Sequence, residues 1–370
     1  MKDNSKDAFF DLVRAGLWNH EVSFSSYGDA DFDKILQMAG EQSVNGLVTA
    51  GLELVDIKVP REVVLQFVGR ALQIEQQNLA MNEFVETLIE KLQSAGIYAL
   101  LLKGQGIAQC YNKPLWRTNG DVDIFLSDDN YRKAKDLLMP WASSIDEEGL
   151  TNKHLGLTID SFAVELHGTL YGGLASRIDN TLDDIKNSAF YEGKVRFWTN
   201  GRTQVFLLAA DEDVVYVFTH ILQHFYKGGI GIRQICDWCR ILYRYRSELD
   251  LRLLKSRIKR MGLMTEWKAF GAFAVDYLGM PVEAMPFYSP GTKWSRKADK
   301  ICAFIMEVGN MGHNRDMSYY KDKSYFMQKV ISLGRRCGDL ISHAKIFPID
   351  SLRFFPNILF NGLRSAARGE

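Results

Sequence analysis

Residues 101–138, LLKGQGIAQCYNKPLWRTNGDVDIFLSDDNYRKAKDLL, decide how the rest of the chain is read. An apolar run ends in Lys103-Gly104, a short segment at 105–112 has helical spacing, and Gly120-Asp121-Val122-Asp123 opens a second apolar run. The runs at 97–102 and 121–126 are short and bounded by Gly and polar residues, the mark of strands. Residues 128–139 have the period of a helix, with Ser127 or Asp128 placed to cap it. In a strand, residues two apart point the same way, so Asp121 and Asp123 share one face while Val122 and Ile124 take the other. Two carboxylates held so close repel unless a cation neutralises them, and adjacent carboxylate oxygens suit a hard divalent ion such as Mg²⁺. An isolated Asp-x-Asp on a solvated strand face is the plainer reading of so short a motif. The order of the surrounding parts favours the metal reading: a Gly at a strand-to-helix turn lets backbone N–H groups approach phosphate oxygens, and the basic Arg117 lies between turn and acids.

Downstream, residues 157–167, LTIDSFAVELH, read as one further strand. Within it Val164 and Leu166 face the core, and Glu165 and His167 face away. Glu165 then supplies a third acid, enough with Asp121 and Asp123 to hold two ions. His167, on the same face, is placed to meet phosphate or acceptor, with a purely hydrogen-bonded role as the alternative.

The flanks are helical. Phe84, Val85, Leu88, Leu92 and Ala95 recur at three- and four-residue steps, with Gly96 where a C-terminal cap belongs. After residue 200 a stripe of Val214, Val215, Phe218, Ile221, Leu222 and Phe225 follows the first-turn acids Asp211, Glu212 and Asp213. Further helices are expected at 233–245, 251–261 and 265–278. The fold class expected is α+β: a helical region at 1–96, an α/β core with a small mixed sheet at 97–200, and a helical region at 201–370 ending in a basic, aromatic tail.

Composition narrows the function. The chain has 370 residues, 46% hydrophobic and only 8 Pro, which excludes a disordered or fibrous protein. Its 45 Lys+Arg balance 45 Asp+Glu, so a protein that coats duplex nucleic acid is not expected. No window approaches the roughly 18 uninterrupted apolar residues of a membrane span. The charged, mixed start MKDNSKDAFF has no apolar core of a secretory signal, which leads to a cytoplasmic expectation. Five scattered cysteines read as reduced thiols.

Two other features compete for a role. His220 and His224, followed by Cys236 and Cys239, offer the donor types of a zinc site. Both pairs fall inside apolar-periodic helices, so small buried cysteines are the preferred reading. Residues 321–370 carry nine Lys/Arg against four Asp/Glu. They suit either an anionic membrane surface or a closing helix packed by Phe354, Phe355, Ile358 and Leu359; Pro348 and Pro356, expected to interrupt a long helix, favour the second.

Leu101-Leu102-Lys103-Gly104, Arg117 with Gly120-Asp121-Val122-Asp123, and Val164-Glu165-Leu166-His167 resemble the bacterial "uncharacterised nucleotidyltransferase" family of the polymerase-beta-like superfamily. The likeness continues through His220-Ile221-Leu222-Gln223-His224 and residues 231–238, and implies that His220, His224, Arg233 and Asp237 are polar residues of the helical region lining the nucleotide or acceptor cleft. It implies Mg²⁺-dependent transfer (two ions, with Mn²⁺ as substitute) of a nucleoside monophosphate from an NTP such as ATP to an acceptor. By the resemblance, Asp121 and Asp123 are the metal pair, Glu165 is the third carboxylate and Gly104 is the phosphate-turn glycine. The turn departs from the superfamily pattern: Gln105 stands where Gly or Ser is usual, so Lys103 or Arg117 is expected to supply charge there. The alternative reading is a catalytically weak nucleotide-binding module on the same fold, used in regulation or assembly.

Overall fold

A computed structural model describes residues 4–27, 30–149, 153–312, 314 and 325–368. Four helices lead: α1 (Ser5–Trp18), α2 (Phe32–Glu41), α3 (Asn45–Leu52) and the long α4 (Arg61–Ser94). The α/β part follows with β1 (Ala99–Leu102), α5 (Gly104–Ala108), β2 (Val122–Leu126), α6 (Asp128–Leu138), β3 (Ser144–Ile145), β4 (His154–Ile159) and β5 (Phe162–His167). Then come α7 (Ser176–Tyr191), β6 (Val195–Asn200) and β7 (Thr203–Leu208). The chain closes with α8 (Ala210–Lys227), α9 (Ile232–Arg244), α10 (Leu251–Met261), α11 (Met264–Asp276), α12 (Thr292–Val308), α13 (Tyr325–Ala344) and α14 (Pro348–Arg368). The class is α+β, as expected.

The strands form one mixed seven-stranded sheet in the order β3-β4-β5-β2-β1-β7-β6. At its centre β1 pairs antiparallel with β2, and β2 pairs parallel with β5 in a register that sets Asp123 beside Glu165. Strand alternation sorts the two faces. Val122, Ile124, Val164 and Leu166 turn to a core closed by α4 and α6. Leu100, Leu102 and Phe125 turn to the larger helical core on the other face, the side that carries Asp123.

That larger core draws residues from both ends of the chain, including Phe9, Val48, Phe218, Trp238, Trp267, Ile305 and Phe354. Side chains stitch the early helices to the late ones: Arg14 Nε donates to Tyr277 O at 2.8 Å, Arg240 Nη1 to Leu17 O at 2.8 Å, and Gln42 Nε2 to Ile305 O at 3.2 Å. Helices α1–α3 therefore share one core with the helices after the sheet, while the C-terminal part of α4 covers the opposite face.

Four local expectations change. The run at 157–167 is not one strand: Asp160 and Ser161, with φ of 47° and 69°, make a tight turn that folds it into the β4–β5 hairpin. Helix α5 is shorter than the expected 105–112 and stops at Ala108. Residues 203–208, counted with the helical region at 201–370, instead form β7, which pairs with the edge strand β6; the helix after it begins at Ala210 with Asp211, Glu212 and Asp213 in its first turn, as expected. Finally, α14 starts at Pro348 and runs through Pro356. Proline at a helix start costs no hydrogen bond, and Pro356 is exposed, as is Leu352 four residues before it, so the carbonyl left without a helical partner lies on a solvated face. On the inner face of α14, Phe354 and Ile358 are buried in the helical core. The tail residues 321–324 and 369–370 lie outside the described residues. No helix among the described residues is long and apolar enough to cross a membrane.

Candidate active site

A cleft of ≈ 220 Å³ opens where the C-terminal end of β1 meets the start of β2 and the α8–α9 pair; Lys103, Gly104, Asp121, Asp123, Glu165 and Arg233 line it. The turn after β1 puts Lys103 at φ 50°, ψ −138° and Gly104 at φ 42°. The first is a backbone state that a residue with a Cβ adopts at a cost of about 1–3 kcal/mol, so the surroundings must hold it. They do so on two sides. The Lys103 ammonium lies 3.1 Å from Asp123 Oδ1. On the other side Gln105, only 3% exposed, donates from Nε2 to Asn82 Oδ1 at 2.7 Å and Asn78 Oδ1 at 3.2 Å on α4. Gln105 thus anchors the turn from behind and does not line the cleft. Gly106 is a packing glycine, since a Cβ there would sit 2.6 Å from Leu207 Cδ2 on β7.

Asp123 is 4% exposed and receives two donors: Lys103, and His167 Nε2 at 2.8 Å from Oδ1. Asp121, one residue before β2, is exposed at the cleft. Partial burial and repulsion from Glu165 and Asp123 push its carboxyl above the ordinary range. Glu165 has the opposite environment. Its Oε2 lies 3.1 Å from His154 Nε2 and 3.4 Å from His167 Nε2, and these bonds hold its carboxyl far below the ordinary range. Burial alone would lower Lys103 and His167, yet both are raised, because Asp123 is next to each.

The two histidines of α8 behave differently. Burial and the neighbouring Lys103 charge drive His220 well down and His224 to about 4. Their Nε2 atoms are 3.0 Å apart, and His220 Nε2 lies 3.4 Å from Lys103 Nζ. An ammonium only donates, so His220 Nε2 accepts and the pair is neutral. Cys236 and Cys239 are fully buried beside Trp238 in the helical core. His220, His224, Cys236 and Cys239 do not bring their ligand atoms together as a metal group; among the described residues only His154, Glu165 and His167 bring three within 4.8 Å.

Arg117 reaches the cleft wall, but its guanidinium is committed elsewhere. Nε and Nη2 each donate to Asp237 on α9 at 2.7 Å, and Tyr111 Oη adds a third donor to Asp237 at 2.7 Å. The cation that approaches the cleft from α9 is Arg233. Its Nη1 donates to Thr118 O at 2.9 Å and Asn119 O at 2.8 Å, while its buried Nε has no protein partner. Burial, followed by the nearby Arg117 charge, lowers its pKa, as expected of a cation with no carboxylate of its own.

The sequence reading missed His154, Asn78 and the division of labour between the two arginines. His154 was within reach: His154 and His167 are equidistant from the Asp160-Ser161 turn, so recognising the hairpin makes them cross-strand partners. Asn78 gave no local signal, because it is a polar residue on a helix whose partners at Leu115 and Arg117 are distant in sequence; Asp237, expected to line the cleft, does so, but its pairing with Arg117 was not foreseen.

The geometry can bind a polyanion near Lys103, Gly104 and Arg233 and set it against a row of carboxylates. A family model described as "Uncharacterised nucleotidyltransferase" matches residues 28–279, most of the helical layer and the whole sheet. No curated protein and no solved structure matches the chain.

Proposed function

Since the chain belongs to the uncharacterised nucleotidyltransferase family and is thereby a transferase of phosphorus-containing groups, we propose that it moves a nucleoside monophosphate from an NTP to a separate acceptor with release of pyrophosphate. The observation that carries this reading is the register of β2 against β5, which sets Asp123 and Glu165 side by side with Asp121 at the same cleft. Asp121, Asp123 and Glu165 are hard oxygen donors of the kind a divalent cation takes, and the repulsion that raises Asp121 is what such an ion would relieve. Their oxygens are not gathered within 4.8 Å of one another, so an ion would have to draw them in. Bound by Asp121, Asp123 and Glu165, one or two Mg²⁺ ions, or Mn²⁺ in their place, supply charge neutralisation at the triphosphate and a lowered pKa at the acceptor hydroxyl.

The chain's own residues do the rest. Lys103 and Arg233 place positive charge against the phosphates, and the Lys103-Gly104 turn brings backbone close to them. Arg117 braces α9, which carries Arg233, against the loop before β2. A carboxyl held as low as that of Glu165 is a weak proton acceptor, so Glu165 serves as a ligand and an electrostatic partner rather than as the general base. In the ion-free chain His167 Nε2 lies between Asp123 and Glu165, at 2.8 Å and 3.4 Å, and orients both; a metal bound there would take the place of its proton. The acceptor is a small molecule, sugar, lipid precursor or protein, and neither duplex nucleic acid nor a membrane span enters the scheme.

One observation favours the alternative of a catalytically weak nucleotide-binding module: Asp123 is already neutralised by Lys103. Pyrophosphate release from each of the four NTPs with Mg²⁺, across a broad acceptor set, separates the two. We expect wild type to exceed the Asp121→Ala/Asp123→Ala protein by roughly a hundredfold or more. Equal rates, with nucleotide still bound, assign the chain to the alternative.

A further inference from the structure

We propose that His154, Glu165 and His167 form a separate metal site for a borderline divalent ion of the Zn²⁺, Co²⁺ or Mn²⁺ class, opening to a second cavity beside the cleft. The three residues project from the paired strands β4 and β5. His154 lies directly across from His167, and Glu165 is two residues before His167 on the same face. Paired strands give the set a rigid frame.

Glu165 Oε2 is 3.1 Å from His154 Nε2 and 3.4 Å from His167 Nε2, and all three ligand atoms fall within 4.8 Å of one another. A tetrahedral ion with bonds of about 2.0–2.1 Å spaces its ligand atoms about 3.3–3.4 Å apart, so both glutamate–histidine separations already suit such an ion, and the two histidines lie within 4.8 Å of each other. The same two distances also fit plain hydrogen bonds, which is the outcome the experiment must exclude.

Ligand chemistry sets the metal. Two imidazole nitrogens and one carboxylate oxygen favour Zn²⁺, Co²⁺ or Mn²⁺ over Mg²⁺, which prefers all-oxygen coordination. The fourth position is open, because all three side chains also line a cavity of ≈ 260 Å³ shared with Tyr171, Tyr216 and Gln223. Three protein ligands and an exchangeable position are the pattern of a site that takes a substrate oxygen or water. The site shares Glu165 with the nucleotidyl-transfer reading but uses neither Asp121 nor the phosphate turn.

The test is Co²⁺ titration of the full, chelator-stripped chain without nucleotide, read by visible absorption and by metal content after dialysis. Each variant is first matched to wild type by its circular-dichroism melt, which His154 allows because its side chain is 39% exposed. We expect one equivalent with tetrahedral absorption in wild type and in Asp121→Ala, affinity weakened about tenfold or more in His154→Ala, and recovery in His154→Asp. No Co²⁺ band at saturating metal, or equal affinity in His154→Ala, overturns the proposal. The retained Co²⁺ signal in Asp121→Ala keeps this result separate from loss of nucleotidyl transfer.

Discussion

Arg117→Met distinguishes a structural brace from a phosphate ligand, and its expected effect follows from the surroundings of Asp237. Arg117 and Asp237 are 6% and 4% exposed, and their two 2.7 Å contacts are parallel and charge-assisted. Methionine fills much of the arginine's volume but leaves Asp237 as a buried carboxylate with Tyr111 as its remaining donor of the three. Stranding one partner of a buried pair costs about 3–5 kcal/mol. Adding Asp237→Asn removes the stranded charge and keeps an acceptor for Tyr111, so the double variant should lose clearly less than the two single losses combined. The coupling should reach roughly 1–3 kcal/mol. Urea unfolding of the four proteins measures each value. Nucleotide KM should change in Arg117→Met only as far as α9 shifts. A wild-type unfolding midpoint combined with a large rise in NTP KM would refute the brace and return Arg117 to the phosphates.

Two further outcomes follow from the same geometry. Arg233→Met should raise the KM for NTP by about ten- to a hundredfold, the equivalent of one charge-assisted hydrogen bond of roughly 1.5–3 kcal/mol; Arg233→Lys should recover only part, because the planar fork is lost. An unchanged KM would remove Arg233 from the phosphate site. Asp121→Asn should stabilise the metal-free protein at neutral pH while abolishing transfer. The sign follows from the raised carboxyl: the folded state binds the Asp121 proton more tightly than the unfolded chain, so stability falls as pH rises from the ordinary carboxylate range through the raised value, and the full penalty stands above it. Melting of both proteins from pH 4 to pH 8 without metal should show curves that diverge as pH rises; a constant gap would disprove this origin.

Much of the site was legible because its signals are local. Asp121 and Asp123 two apart before an apolar run, Glu165 within an alternating strand, and Gly104 at the end of β1 each declare themselves within a few residues. The strands β6 and β7 were missed although their signal was local: Asn200-Gly201 lies between the β-prone runs VRFW and TQVFLL, and Gly201 takes the φ of 56° the turn needs, where a Cβ would stand 2.2 Å from Glu86 Oε2 on α4. Nothing near residue 201 announces that contact.

By itself the sequence determined the α+β class, the helical flanks and the acidic strand starts, since periodicity and short spacings depend only on backbone geometry. The tertiary structure alone decided which charges face which. Arg117 and Arg233 are indistinguishable as isolated basic residues, yet one is closed onto Asp237 and the other is turned toward the cleft. His154 and His167 are thirteen residues apart in sequence but opposite each other across a hairpin. A charge's role is set by its nearest partner in space, and in this fold those partners come from distant elements: β2, β5 and α8 around Lys103, and α4 behind the turn.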